Sequence, residues 1–280
     1  MTIDVRSVVV PDFLYGTAWK EEATAACVTR ALAAGFRGLD TANQRKHYHE
    51  AGVGDALRAA LASGQVRRDE LFVQTKFTFQ AGQDHRLPYD PAAPIATQVE
   101  QSLASSLEHL GLTHLDSLVL HGPSQADGLG ADDVAAWRAM EEISRRGQVR
   151  WLGISNVSQG QLGALVELAT VPVAFVQNRC YAVRRWDQVI RAQCAASDIV
   201  YQAFSLLTAN RAVVDCPEVA AIARRHGLTP AQVVFRFAQQ VGMLPLTGSR
   251  DDTHLRDDLA ARAVELDVGE LAAIDRLGQA

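Results

Sequence analysis

Asp40, Lys76, His121 and the pair Ser155-Asn156 each stand at the C-terminal end of a short apolar run, and helix-length amphipathic stretches separate the runs. The runs read Phe36-Arg37-Gly38-Leu39-Asp40, Leu71-Phe72-Val73-Gln74-Thr75-Lys76, Ser117-Leu118-Val119-Leu120-His121 and Trp151-Leu152-Gly153-Ile154-Ser155-Asn156. In a parallel barrel the C-terminal ends of the strands converge on one face, and that face carries the chemistry. Polar endings recurring on successive runs therefore constrain the fold more tightly than composition does.

The remaining stretches fit the same architecture. A first strand ends near Leu14-Tyr15-Gly16-Thr17, and an Ala-rich helix over about 20–34 is stopped by Gly35, a residue suited to the positive φ of a helix end. Val53, Leu57 and Leu61 recur every four residues, as do Ile95, Val99, Leu103 and Leu107, so two further helices each carry a buried stripe. Later strands are predicted at 173–177, 199–204 and 243–246, with helices at 133–146, 159–169, 186–197 and 229–241 and a last one at 271–277. Eight apolar strand candidates alternating with amphipathic helices predict an α/β fold, a closed (β/α)8 TIM barrel forming one domain over residues 1–280. Two stretches, 80–94 and 207–217, resist assignment. Both follow strand ends, which makes them candidate walls of a pocket.

With 48% hydrophobic residues among 280, the chain can bury a core without disulfides or a structural metal. A net charge of −5 argues against bulk binding to nucleic acid or an anionic membrane. Cys27, Cys180, Cys194 and Cys216 are widely spaced and form neither a Cys-x-x-Cys pair nor a metal-ligand pattern, as expected for reduced thiols in the cytoplasm. Residues Met1 to Arg6 lack an export pattern, and no window has the length of a bilayer span. The expected partner is a small molecule, and the expected state is a monomer or weak homo-oligomer.

An ammonium within a buried strand needs a partner, and Asp40 is the obvious one for Lys76. Such pairs add little net stability, so function is the better explanation than a structural tie across the barrel floor. Tyr48 lies on the loop after Asp40. If its hydroxyl meets Lys76, the positive charge is expected to lower its pKa from about 10 and make it a competent general acid. On its own a loop tyrosine is packing and a lone histidine is core. At a strand end beside Gly122-Pro123, however, His121 is placed to donate to a substrate oxygen. His47 and His49 have no third ligand nearby, so no metal site is expected.

The segments Gly35-Phe36-Arg37-Gly38-Leu39-Asp40-Thr41-Ala42, Gln74-Thr75-Lys76, Leu118-Val119-Leu120-His121-Gly122-Pro123 and Leu152-Gly153-Ile154-Ser155-Asn156 resemble, in order, signature segments of the aldo-keto reductase superfamily. The resemblance runs from Gly16-Thr17 to Asp258. It implies a catalytic tetrad of Asp40, Tyr48, Lys76 and His121. It also implies carboxamide contacts from Ser155, Asn156 and Gln177, an aromatic ring of Phe204 stacked on the nicotinamide, and backbone contacts from Ser205 and Leu206 to the pyrophosphate. Gly248, Ser249, Arg250, His254 and Asp258 would grip the adenosine end. The implied reaction is NADPH-dependent reduction of an aldehyde or ketone, with NADH as the alternative cofactor.

Several positions depart from the family pattern. Arg45 stands five residues after Asp40, where the family places its tyrosine, so either Tyr48 or, counting back from Glu50, His47 fills that role; Tyr48 is preferred. Gly122 replaces a common tryptophan, Gly248 a lysine that often binds the 2′-phosphate, and His254 an arginine; Arg250 could restore the lost charge. Two other readings stay open: a regulatory nicotinamide-binding subunit without useful catalysis, and a Schiff-base lyase acting through Lys76.

Overall fold

The computed structural model describes residues 10–278; residues 1–9, with the Met1 to Arg6 segment, and 279–280 lie outside it. Its strands are β1 (Leu14–Gly16), β2 (Gly38–Asp40), β3 (Phe72–Phe77), β4 (Leu115–Leu120), β5 (Val149–Ser155), β6 (Val173–Arg179), β7 (Val200–Phe204) and β8 (Met243–Thr247). They pair in sequence order, all parallel, and β8 returns to β1 through Leu14↔Leu246 to close the barrel.

The strand period of two sorts the interior by height. On β3, Phe72, Gln74 and Lys76 share the inner face. Phe72, at the start of β3, packs with Leu14, Trp151, Phe175, Leu244 and Leu246 in one apolar cluster, while Lys76 lies near the strand's end. The larger core lies outside, where the strands' other faces meet the helices. The register sets Asp40 beside Gln74, Ser155 beside Gln177, and Gln177 beside Gln202.

The helices are α1 (Thr24–Ala34), α2 (Glu50–Ala62), α3 (Ile95–Leu110), α4 (Ala131–Arg145), α5 (Gln159–Leu168), α6 (Gln188–Ala196), α7 (Arg211–Val214), α8 (Pro217–His226), α9 (Pro230–Gln240), α10 (Asp252–Ala260) and α11 (Val268–Arg276). Gly35 ends α1 at φ +113°, as expected from the sequence. Neither α8 nor α10 was expected. The signals for α8 are present, with Pro217 in its first turn, Val219, Ile222 and Ala223 buried, and Gly227 at φ +66° after its end.

Helix α6 begins two residues later than predicted, because Arg185, Trp186 and Asp187 are left-handed at φ +55°, +53° and +58°. Tertiary contacts hold that turn. The buried Trp186 indole donates to the Ile274 carbonyl at 3.2 Å, and Asp187 accepts from Tyr201 Oη at 2.7 Å and Asn178 Nδ2 at 3.1 Å.

Both stretches that resisted assignment are tied down. In 80–94, beyond a 3₁₀ turn at Gln80–Gly82, Tyr89 donates to the Thr78 carbonyl at 2.8 Å and Gln83 to the Asn43 carbonyl at 2.9 Å. In 207–217, the buried Asn210 donates to the Cys180 and Leu206 carbonyls, both at 2.8 Å, and accepts from Ala182 N at 2.7 Å. None of the helices described is long and apolar enough to cross a membrane.

Candidate active site

Lys76 Nζ lies 2.7 Å from each Asp40 carboxylate oxygen and donates to the Thr41 carbonyl at 2.8 Å. Burial pulls the lysine pKa down, but the Asp40 carboxylate and Tyr48 outweigh it, so the ammonium is held above its ordinary value. Asp40 is shared further. Its Oδ1 accepts from Gln74 Nε2 at 2.7 Å and Gln177 Nε2 at 2.9 Å. Gln202, reaching across the barrel from β7, exchanges bonds with Gln74 at 2.8 and 3.0 Å and accepts from Gln177 at 2.9 Å. The floor beneath the pair is thus an amide network in which the nitrogens of Gln74, Gln177 and Gln202 all find acceptors, as donors in such a low-dielectric place must.

Gln74 and Gln202 were missed as site residues in the sequence. Strand alternation carried the signal, since Gln74 lies two before Lys76 and Gln202 two before Phe204.

Tyr48 is half-buried, with its ring centroid 5.1 Å from Lys76 Nζ and 6.0 Å from the His121 ring centroid. Its pKa corrects the sequence expectation. Burial raises it, Asp40 adds to the rise, and the Lys76 charge and hydrogen bond offset only part, so the phenol sits above its ordinary value. His47 lies against Trp19, ring centroids 4.0 Å apart and planes tilted by 38°, with Nδ1 2.8 Å from Gln44 Oε1. Tyr48 thus lies close to both Lys76 and His121. Burial, reinforced by the charges of Lys76 and His47, depresses the His121 pKa to about 3, so the imidazole is neutral at ordinary pH.

The nicotinamide candidates gather along the ends of β5 to β7. Ser155 Oγ donates to the Gln177 carbonyl at 2.6 Å. Asn156, at φ +53°, donates to the His121 carbonyl at 2.8 Å. Gln177 has its amide nitrogen committed to the floor, while its Oε1 makes no hydrogen bond among the described residues. Phe204 is half-buried, with the Arg179 guanidinium 5.8 Å from its ring centroid. Ser205 is left-handed at φ +59°, and Leu206 is buried, leaving its backbone for any contact.

At the opposite side of the mouth, Thr17 donates through Oγ1 and its amide to the Asp40 carbonyl, both at 3.0 Å. Gly16 and Gly248 are side by side. A Cβ on Gly248 would stand 3.5 Å from the Gly16 carbonyl oxygen and 3.3 Å from Lys20 Nζ, and that ammonium donates to the Gly248 carbonyl at 2.8 Å. Lys20, also missed in the sequence, therefore puts a cation where a side chain at 248 would begin; burial lowers its pKa to about 8. Tyr15 donates to the Ser249 carbonyl at 2.9 Å, and the Arg250 guanidinium bonds the Trp19 carbonyl. On α10 His254 is exposed and Asp258 buried; burial pushes the Asp258 carboxyl up to about 6, with Thr247 and His254 opposing.

Comparison with known proteins agrees with this geometry. The model of the Aldo/keto reductase family matches residues 14–279. An aldo-keto reductase of Mycolicibacterium vanbaalenii is 30% identical over 90% of this chain and 82% of its own length. A methylglyoxal reductase of Salmonella typhimurium is 29% identical over 93% and 87%. Among solved structures, an aldo/keto reductase from Brucella melitensis superposes with a TM-score of 0.81 at 24% identity over 95% of both chains. A Bombyx mori aldo-keto reductase in complex with NADP gives 0.81 at 24% identity over 95% of this chain and 89% of that one, and both structures share its fold. With the family model covering the barrel from β1 through α11, the chain belongs to the aldo/keto reductase family.

Proposed function

We propose that this protein reduces an aldehyde or ketone to an alcohol with NADPH, NADH being the weaker alternative, as a single-domain cytoplasmic enzyme. The observation that carries this reading is the convergence of Tyr48 and His121 on one mouth above a buried Lys76-Asp40 pair. The residues fit a nicotinamide cofactor. Gln177 Oε1 and the Ser155-Asn156 pair offer polar atoms for a carboxamide, and Phe204 offers a half-buried ring face beside them. Lys20 and Arg250 supply positive charge beside Gly248 for a 2′-phosphate. The NADP complex of the Bombyx relative supports the choice of NADPH. When bound, the reduced nicotinamide supplies the hydride.

The chain's own groups supply the rest. Tyr48, kept protonated by burial, gives its proton to the developing alkoxide, and the charge of Lys76 stabilises the phenolate left behind. Asp40 and the glutamine floor hold that ammonium in place. His121, neutral, orients the carbonyl oxygen by hydrogen bonding. The methylglyoxal reductase relative supports a small carbonyl substrate. Gly122 leaves room for a larger one, since a Cβ there would meet nothing nearer than Asn156 Cβ at 3.7 Å. A Schiff-base role for Lys76 requires an uncharged amine, which Asp40 opposes.

Fluorescence titration with NADPH and NADH tests the cofactor site directly. Tight binding, stronger for NADPH, is expected, and no binding of either would sink the proposal. Tyr48→Phe should lower carbonyl reduction by at least about a hundredfold while cofactor affinity stays within about twofold. An unchanged rate would remove Tyr48 from the chemistry.

A further inference from the structure

Thr78 stands two residues beyond Lys76, and its hydroxyl lies 2.7 Å from His121 Nδ1. We propose that Thr78 is a positioning residue that selects the Nε2-protonated tautomer of His121, so that the imidazole presents an N–H donor to the substrate carbonyl oxygen. The proposal rests on the reductase reading for the use of that donor, but the tautomer itself follows from local hydrogen-bond accounting.

A neutral imidazole has one donor and one acceptor nitrogen. If Nδ1 carried the proton it would donate to Thr78 Oγ1, and the hydroxyl proton would need another acceptor. Thr78 is 6% exposed, and Oγ1 makes no other hydrogen bond among the described residues. That arrangement strands a buried donor, at a cost of about 1–3 kcal/mol. With the hydroxyl donating to Nδ1 instead, both groups are satisfied and the ring proton sits on Nε2.

Neither partner is free to escape this contact. The Thr78 methyl faces Gly82, where an added Cβ would stand 2.8 Å from Cγ2, so the side chain has little room to rotate. The Thr78 carbonyl accepts from Tyr89 Oη at 2.8 Å and Gln83 Nε2 at 3.4 Å. On the other side, Asn156 Nδ2 holds the His121 carbonyl at 2.8 Å. Segment 80–94 thus acts on the reaction through Thr78. The neutral state of His121 is consistent with a donor that works by its tautomer and not by its charge.

The test is nitrogen-15 NMR of histidine-labelled protein, together with the variants Thr78→Val, which keeps the shape and removes the hydroxyl, and Thr78→Ser, which keeps the hydroxyl. Wild-type His121 should show a single Nε2–H tautomer, and Thr78→Val should show a mixture. In Thr78→Val kcat should fall at least about tenfold with NADPH affinity within about twofold, and Thr78→Ser should recover to within about threefold of wild type. An Nδ1–H signal in the wild type, or a Thr78→Val kcat within about threefold of it, would overturn the proposal. Were no carbonyl turned over by the wild type, the reductase reading would fall while the NMR signal still decided the tautomer.

Discussion

At the residue scale, protonation states follow from what each polar group faces. Tyr48 is raised above its ordinary value and His121 is depressed to about 3, so neither changes charge near neutrality. The kcat/KM for reduction should therefore be level from about pH 5 to about pH 9, measured at saturating cofactor across a panel of buffers. A limb near 6.5 would move the acid role to an ordinary histidine. The strand-end residues Asp40, Lys76 and His121 were legible in the sequence because each closes an apolar run. The sign of the tyrosine shift was not, because the sequence exposes the neighbouring lysine but not the burial that outweighs it. Gln74 and Gln202 stayed hidden for another reason: they are 128 residues apart, and only barrel closure brings them face to face.

At the scale of elements, the buried carboxylate of Glu50 at the start of α2 accepts from Thr75 Oγ1 of β3 at 2.5 Å and lies 3.3 Å from His109 Nδ1 of α3. Helices α2 and α3 approach closely where Gly54 faces the end of α3; a Cβ there would stand 1.9 Å from the His109 carbonyl oxygen. Gly54→Ala should destabilise the protein by about 2–3 kcal/mol in urea unfolding, since the obstruction is backbone and cannot swing aside. The helices with an apolar residue every fourth position, α2 and α3, were legible from that stripe, although it does not mark where they start and stop. The start of α6 was not, because three consecutive left-handed residues are imposed by Trp186 and Asp187 reaching distant partners, and local preference there points the other way. Helix α8 went unread although its proline start and glycine stop are both present, its buried stripe being only three residues.

At the scale of the whole molecule, Asp258 links stability to pH. Its carboxyl titrates near 6 in the folded protein against 3.8 in the free chain, so between those values the folded state keeps a proton that the unfolded state has lost. Stability should fall as pH rises through that window, and the deficit should persist above it. Asp258→Asn, without added cofactor, should gain about 2 kcal/mol at pH 7.5 and little at pH 3.5, read from urea midpoints. The alternation of eight apolar runs with helices made the barrel itself legible, because that order leaves few other ways to cover a parallel sheet.

The pairing of Leu14 with Leu246 joins the first strand to the last. A nascent chain leaving the ribosome therefore carries an incomplete sheet with two bare edges until β8 has emerged, and each edge is a template for another molecule's strand. Slow translation through the segment between β7 and β8 would prolong that exposure, and synonymous slow codons placed there should lower the soluble yield.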